Sequence, residues 1–420
     1  MSFQQGLSGL NASSKNLEVI SNNIANANTF GAKTSRAEFS SVYATALNGS
    51  GTNQVGIGTA LQAVAQQFTQ GNVSTTENPM DLAINGPGFF QISDGNSPVT
   101  FTRNGQFKVD RDGYIVNNSQ ERLLGYSADG NGVIQPGQLS PLRLPTDGIN
   151  PNPSSRVAVE MNLDSRLAVT LPAAAPMIDF ANAGSYNNAT SLTLYDAKGQ
   201  DVAMSFYFQK AANDQWNVYA TANGSTVSGT NAAPTPITTI TFQSNGSAPI
   251  APAGPVTINV PASTNAVGAQ TEPIAGLLFD LSGATQFGSG FGVTDMRQDG
   301  YSAGQLSTIA IEPNGVVMAR YSNGQSKPSG QIELANFRNP QGLQPLGDNA
   351  WARTFASGDP IFGVPGDANL GVLQSGALEE SNVDLTGELV NMITAQRIYQ
   401  ANAQTIKTQD QVLQTLVNLR

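Results

Sequence analysis

The chain has 420 residues, a net charge of −10 and an isoelectric point near 4.5, and only 12% of its residues are charged. Phosphate binding needs clustered Lys and Arg, so this balance argues against a nucleic-acid partner. Cysteine and histidine are absent, which excludes disulfides, thiolate chemistry and every Ser-His triad. We therefore expect a protein that is not an enzyme, with no catalytic residue, cofactor or metal.

The first predicted element is an amphipathic helix within residues 1–28. Ser2 with Gln5 fits a capping box, and Gly31 is placed to end the helix in a left-handed conformation. Steps of three, four and seven residues put apolar side chains on one face of a helix. The stripe so predicted consists of Phe3, Leu7, Leu10, Leu17 and Ile24.

Residues 29–74 show mixed patterns and predict an irregular connector. Within it, Glu38 to Leu47 favours a short helix, and Asn48 to Asn53 favours a loop. Val64 to Thr69 alternates between apolar and polar residues, as a strand does.

From about residue 75 the hydrophobic period changes to two, which predicts a first β domain made of residues 75–146 and 301–363. Asn-Gly and Asp-Gly pairs supply its turns, and Pro313-Asn314-Gly315 predicts a hairpin. Between these halves we predict an inserted outer β domain, residues 147–300. Low-complexity stretches at Ala232 to Pro236 and Ala248 to Pro255 read as its exposed loops.

A second connector, residues 364–383, leads to a terminal helix within residues 384–420. Asp384 is its predicted N-cap, and Glu388 in the first turn suits the helix dipole. Its predicted apolar stripe consists of Leu385, Leu389, Met392, Tyr399, Ala403, Ile406, Leu413 and Val417.

The two ends have no helical neighbour in their local sequence, although each carries an apolar stripe that must be buried. The sequence therefore predicts an α+β protein. Its N- and C-terminal helices pair as a coiled-coil-like domain, and two mainly-β domains, the second inserted in the first, make the body. Because a short helix with one stripe is marginal in water, we also expect the ends to fold as the chain assembles with copies of itself.

Several motifs, in order along the chain, resemble those of the bacterial flagellar rod and hook axial proteins. The resemblance covers both ends and the first β domain. It rests on residues 21–29 (Ser-Asn-Asn-Ile-Ala-Asn-Ala-Asn-Thr), 84–90 (Ile-Asn-Gly-Pro-Gly-Phe-Phe), 101–107 (Phe-Thr-Arg-Asn-Gly-Gln-Phe), 112–114 (Asp-Gly-Tyr), 376–385 (Gly-Ala-Leu-Glu-Glu-Ser-Asn-Val-Asp-Leu) and 396–403 (Gln-Arg-Ile-Tyr-Gln-Ala-Asn-Ala).

Within this family, the large insert resembles the hook members, and segments at 159–165, 186–190 and 194–200 are similar to theirs. The resemblance implies a subunit that self-assembles into the extracellular hook, a flexible tubular universal joint that transmits torque from the basal body to the filament. A distal rod protein is the alternative within the family. A secreted β-rich adhesin or polysaccharide hydrolase is the alternative from another class, but no cluster of aromatic and acidic residues supports the hydrolase.

The resemblance also implies the partners. The chain would form a homopolymer and contact the distal rod protein, the hook cap, the hook–filament junction proteins and the flagellar type III export apparatus. The first residues show no basic segment followed by an apolar one, so we expect export without a cleaved signal peptide. No run of 18 apolar residues occurs, so we expect no membrane insertion.

Overall fold

The computed structural model describes residues 2–42, 56–173, 177–367 and 369–418. Helix α1 is Ser2–Ala25 and helix α2 is Leu385–Asn418. The backbone N–H of Thr386 donates to the Asp384 carboxylate at 3.0 Å, so the predicted cap of α2 is confirmed. Gly31 has the predicted left-handed conformation, with a φ of +71°, but α1 already ends at Ala25, so Gly31 does not end the helix. None of the helices in the described ranges is long and apolar enough to cross a membrane.

The predicted capping box at the start of α1 is wrong. Ser2 is already helical. The side-chain amide of Gln5 instead donates to the backbone carbonyl of Gly56 at 2.7 Å. This bond ties the first helical turn to the connector rather than to its own N-terminus.

The predicted helix from Glu38 to Leu47 is also wrong as far as the structure describes it. Residues 43–55, including the predicted loop, lie outside the described ranges. Strand β1, Ser35–Val42, pairs antiparallel with β2, Gly58–Gln66, and has a register shift after Glu38. The second strand provides long-range hydrogen bonds that outweigh the local helix preference. The predicted strand at 64–69 thus begins earlier and ends at Gln66.

Contacts divide the chain into two compact units. The first combines residues up to 146 with residues 308–320 and from 326 onwards, and the second combines residues 147–307 with 321–325. Between β2 and residue 147 the strands are β3 (Val73–Thr75), β4 (Leu82–Asn85), β5 (Phe89–Ser93), β6 (Thr100–Thr102), β7 (Lys108–Val109), β8 (Ile115–Val116), β9 (Arg122–Ala128) and β10 (Ile134–Pro141).

Residues 147–300 contain β11 (Arg156–Asn162), β12 (Asn188–Tyr195), β13 (Asp201–Ala212), β14 (Gln215–Ala222), β15 (Ser225–Thr226), β16 (Gly229–Thr230), β17 (Ala233–Pro234), β18 (Thr238–Phe242), β19 (Pro249–Ala251), β20 (Val256–Val260), β21 (Ile274–Thr285) and β22 (Gly292–Gln298). The later strands are β23 (Leu306–Ile311), β24 (Val316–Tyr321), β25 (Ser326–Ile332), β26 (Leu334–Asn336), β27 (Gln344–Gly347), β28 (Ala350–Ala352), β29 (Ile361–Gly363), β30 (Val372–Ser375) and β31 (Ala377–Glu379).

The first unit joins distant parts of the sequence through its sheets. Strands β24 and β25 continue through β9, β5 and β6 to β28 and β27 in one large sheet. Strand β3 pairs with β31 and β4 pairs with β30, so the second connector pairs with the end of the first connector and with the first β domain. The core contains an aromatic cluster in which the rings of Phe101 and Phe337 meet edge to face with centroids 4.8 Å apart.

The second unit consists mainly of two sheets that share one core. Strands β20, β21, β11 and β22 form one sheet, and β12, β13, β14, β18 and β19 form the other. The ring of Phe206 on β13 stacks on that of Phe279 on β21 with centroids 4.4 Å apart. The two predicted exposed loops are wrong in part, because β17 and β19 occupy their centres. With terminal helices and a mostly β body, the predicted α+β class is confirmed.

Candidate assembly interface

Helices α1 and α2 pack against each other in antiparallel order. Near the start of α1, Gly6 faces Ile406, and a Cβ atom on Gly6 would lie 3.1 Å from Cγ1 of that side chain. Near the end of α1, the Asn23 side-chain amide lies 3.3 Å from Oε1 of Glu388. Partner numbers therefore fall along α2 as they rise along α1. The two ends of the chain thus meet in one helix pair.

The line of closest packing, here called the seam, is built from small and polar residues. On α1, Gly6, Ser13 and Ile20 are buried at seven-residue spacing. A Cβ atom on Gly9 would lie 2.9 Å from the amide nitrogen of Asn402, so a larger residue there would require the Asn402 side chain to move. Ala395 on α2 is 2% exposed and lies seven residues before Asn402.

The predicted apolar stripes lie beside this seam on both helices, and most of their residues come one or four positions after a seam residue. Leu7 follows Gly6 on α1, and Leu389 follows Glu388 on α2. One residue corresponds to about 100° around a helix and four residues to about 40°, so stripe and seam are neighbouring faces that overlap at their edges. The sequence carried a signal for the seam, the small residues Gly6 and Ser13 spaced by seven on α1, but the larger side chains of the stripe masked it.

Most stripe residues remain accessible to solvent in the single chain. On α1, Phe3 and Leu7 are exposed, and Leu10, Leu17 and Ile24 are half-buried. On α2, the exposed members are Leu385, Leu389, Tyr399 and Leu413, and the half-buried members are Met392, Ala403 and Ile406. The side chain of Val417 lies outside the described residues. Four further apolar residues of α2 are exposed away from the stripe, and sequence reasoning missed them: Val390, Ile393, Ile398 and Val412.

The end of the helix pair at Asn23 and Glu388, here called the foot, is hydrogen-bonded to the connectors through two asparagines. The Asn23 side chain is buried and bonds both backbone groups of Ser35, donating at 2.8 Å and accepting at 2.9 Å. Asn382 accepts from the backbone N–H of Thr34 at 2.7 Å and donates to the carbonyl of Gln67 at 2.8 Å. Both asparagines belong to motifs that the sequence singled out. They act as positional links that a longer or apolar side chain could not replace.

A buried ion cluster of Lys33, Arg103 and Glu379 lies beneath this foot. The Glu379 carboxylate pairs with Lys33 Nζ at 2.6 Å and with Arg103 Nη1 at 3.0 Å, and all three side chains are almost fully buried. It also accepts from the backbone N–H of Gly71 at 2.9 Å. Burial lowers the pKa of both Lys33 and Arg103, and the charge of Glu379 opposes this shift.

The ion cluster is where the sequence motifs converge. Arg103 donates to the carbonyl of Gly86 at 2.9 Å, and its guanidinium lies 5.3 Å from the centroid of the Phe89 ring. Two residues after Arg103, a Cβ atom on Gly105 would lie 1.6 Å from the carbonyl oxygen of Leu82, so only glycine fits at this position. The motifs thus join both connectors to the first β domain.

The arrangement has the features of a packing surface rather than a reaction site. Within the part of the chain that the structure describes, no group of three or more His, Cys, Asp or Glu side chains could hold a metal ion. The charged groups of the ion cluster pair with one another and with backbone carbonyls, although Nε of Arg103 is buried without a hydrogen-bond partner in the described residues. The apolar face of the helix pair, in contrast, remains accessible to solvent.

Four family models match the chain. They are described as Flagella basal body rod protein (residues 3–33), Flagellar hook protein FlgE/F/G D1 domain (83–185), Flagellar basal body protein FlaE D2 domain (162–301) and Flagellar basal body rod FlgEFG protein C-terminal (374–419).

Full-length relatives agree with these models. The flagellar hook protein FlgE of Salmonella typhimurium is 41% identical over 422 residues, and that of Escherichia coli is 40% identical, with both chains covered completely in each case. The flagellar hook protein FlgE of Borreliella burgdorferi is 33% identical and covers 100% of this chain and 99% of that protein. The crystal structure of Helicobacter pylori flagellar hook protein FlgE2 matches the fold with a TM-score of 0.54 at 16% identity, covering 73% of this chain and 100% of that one.

Proposed function

The chain belongs to the flagellar hook protein family, and from this premise we propose that its terminal helices drive its assembly into the hook. Proteins of this family are structural subunits of the flagellum. The polymer would act as a flexible tubular joint that transmits torque from the basal body to the filament. The distal rod protein is the weaker candidate, because the match at residues 162–301 covers the large insert and the relatives are hook proteins over their full length.

The observation that carries the proposal is the offset between seam and stripe. The seam uses residues such as Gly6 and Ser13 to pair the two helices of one chain, while Phe3, Leu7 and Leu389 stay about half exposed. A run of exposed large apolar residues marks a surface that associates. Because the seam is already occupied by the partner helix, the stripes are free for neighbouring copies. Their burial stabilises the tube by roughly 25 cal/mol per Å² of apolar surface.

The proposal is tested by polymerising the purified chain. We expect tubes in electron micrographs and a sharp onset of sedimenting material above a critical concentration. A protein that remains monomeric at all concentrations would contradict self-assembly. An adhesin or a hydrolase would show this monomeric behaviour, so the same measurement separates the classes.

The family implies association with basal body components. As partners we propose the distal rod protein at one end of the tube, and the hook cap and hook–filament junction proteins at the other. We also propose an extracellular location and passage through the flagellar type III export apparatus as an unfolded chain without a cleaved signal peptide. The absence of cysteine suits such passage, because no disulfide can hold the chain folded.

We predict that the terminal helices are only marginally stable in the monomer. Their seam buries small residues such as Gly6, Ser13 and Ala395 beside the larger Ile20, so limited apolar burial opposes the loss of chain entropy. In dilute monomer, the backbone amides of α1 and α2 should exchange hydrogen with solvent much faster than those of the β units. In tubes they should be protected. Equal protection of helices and β units in a verified monomer would rule out coupled folding and assembly.

We also predict that the inserted domain can be removed without unfolding its host. The chain enters and leaves this region side by side: the backbone N–H of Ile149 donates to the carbonyl of Gly304 at 2.8 Å, and that of Asn152 to Tyr301 at 3.0 Å. A chain in which a short linker joins Pro145 to Tyr301 should therefore fold and still assemble.

The shape of the shortened tubes tests what the insert does. We propose that contacts between inserted domains of neighbouring copies set the curvature, so the shortened chain should give straighter tubes in electron micrographs. Supercoiled tubes like those of the parent would show that the insert does not govern curvature. An unfolded host would show that the division into domains 75–146 with 301–363 and 147–300 is wrong.

A further inference from the structure

A pocket of about 340 Å³ opens between α1, α2 and β1 beside the foot of the helix pair. Its walls include Val19 and Ile20 of α1 and Ala395 and Ile398 of α2. Most of the other lining residues are polar, Glu388 and Gln67 among them, so this is a mixed recess of a size that admits one long side chain.

The polar lining of this pocket includes two buried atoms without hydrogen-bond partners in the described residues. They are Oε2 of Glu388 and the side-chain nitrogen of Gln67. The other carboxylate oxygen of Glu388 receives only the Asn23 amide, at 3.3 Å. A buried carboxylate oxygen without a donor is costly, so this site calls for a donor that the single chain does not supply.

The chemistry of the site favours a guanidinium. Oε2 of Glu388 would accept from a cation, and the Gln67 amide, turned by 180°, would offer its oxygen beside it. Arginine presents several donors in one plane and buries its aliphatic stem against apolar walls. The nearest cation of the same chain, Arg36, lies at the pocket wall but pairs with Glu38 at 2.6 Å.

Arg397 of α2 has the required properties. Its side chain is exposed and forms no ion pair with any residue in the described ranges. It lies nine residues after Glu388, which is about two and a half turns, so the two side chains leave α2 on opposite sides. An arginine on one side and its acceptor on the other cannot meet within one helix, but they can meet between copies placed side by side.

We propose that Arg397 of a second copy enters this pocket and donates to Glu388. The inference rests on the proposed assembly through the terminal helices and assigns one specific contact to it. Because the two groups occupy different faces, each copy gives an arginine to one neighbour and receives one from another. Such head-to-tail contacts do not close into a dimer but continue as a helical polymer.

The test exchanges the charges and then mixes the variants. Glu388→Arg and Arg397→Glu should each raise the critical concentration for polymerisation by roughly a hundredfold or more, because each leaves a desolvated charge without its partner. A one-to-one mixture of the two variants should polymerise again, since each copy then restores the contact of its neighbour. The double variant Glu388→Arg/Arg397→Glu should polymerise as well. Rescue by mixing excludes an effect within one chain and shows that both variants are folded.

Lys407→Glu is the matched control, because it reverses an exposed charge of α2 that lies farther from Glu388. It should change the critical concentration by less than about threefold. Wild-type-like assembly of both single variants would overturn the proposed contact. So would failure of both the mixture and the double variant, or rescue of Glu388→Arg by Lys407→Glu instead of Arg397→Glu. A wild-type chain that never polymerises would overturn the proposed function itself.

Discussion

Leu389→Asp is expected to abolish tube formation while both β units remain folded. Leu389 is 50% exposed in the single chain, so an aspartate there stays solvated in the monomer. In a tube that covers the stripe, the same carboxylate would be buried without a partner, at a cost of several kcal/mol. Every subunit of the tube would carry the same buried, unpaired carboxylate. Electron microscopy should therefore show no tubes, while circular dichroism shows the β signal unchanged.

Gln411→Asp is the matched control for this prediction. It adds the same charge to an exposed position of α2, two residues before Leu413 and thus about 160° around the helix from that stripe residue. This variant should assemble at close to the wild-type concentration. Normal tubes from Leu389→Asp, or loss of tubes from Gln411→Asp alone, would show that the stripe is not the assembly face.

Ile406→Asp should behave differently from Leu389→Asp. Ile406 lies against Gly6, where a Cβ atom would already be 3.1 Å from its Cγ1, so it belongs partly to the seam. A charge at this position should separate α1 from α2 in the monomer as well as prevent assembly. The two aspartate variants thus distinguish the contact within a chain from the contacts between chains.

The sequence could predict the pairing of the two ends because the signal is local. A heptad repeat fixes which side of a helix is apolar, whatever the rest of the chain does. The repeat alone could not identify the face that the partner helix covers. That choice depends on how closely two backbones approach, and residues such as Gly6 and Gly9 permit a close approach without adding to any hydrophobic pattern.

In the first connector, the local sequence pattern predicted the wrong secondary structure. Residues 38–42 read locally as a helix, yet they form part of β1 because β2 lies alongside. The pairing between these strands joins residues whose separation along the chain grows from 15, between Val42 and Ile57, to 31, between Ser35 and Gln66. Only tertiary pairing of that kind decides between the two structures.

The buried ion cluster could not be predicted for a related reason. Lys33, Arg103 and Glu379 are separated by 70 and 276 residues, and each looks like an ordinary charged residue in its own segment. The motifs around Arg103 and Glu379 marked the right segments, but they did not show that the two side chains meet. The partners became evident only once the structure brought both connectors and the first β domain together.

Glu379→Gln is expected to destabilise the first unit by about 3–5 kcal/mol, the range for breaking a buried ion pair. Glutamine keeps the shape of the side chain but leaves two buried cations without a counter-charge. The chain has two tryptophans, Trp216 and Trp351, one in each unit. In a Trp216→Phe background, the fluorescence of Trp351 should therefore report urea unfolding of the first unit alone, with a lower midpoint for Glu379→Gln.

Glu380→Gln is the control, because it makes the same chemical change one residue later, where the carboxylate has only the Asn72 amide at 3.4 Å. It should shift the unfolding free energy by less than about 0.5 kcal/mol, as for other surface changes. Adding Lys33→Met to Glu379→Gln should recover part of the lost stability, because it removes one of the two uncompensated cations. If Glu379→Gln unfolds like Glu380→Gln, the ion cluster does not hold the connectors to the β domain. The foot of the helix pair would then depend on Asn23 and Asn382 alone.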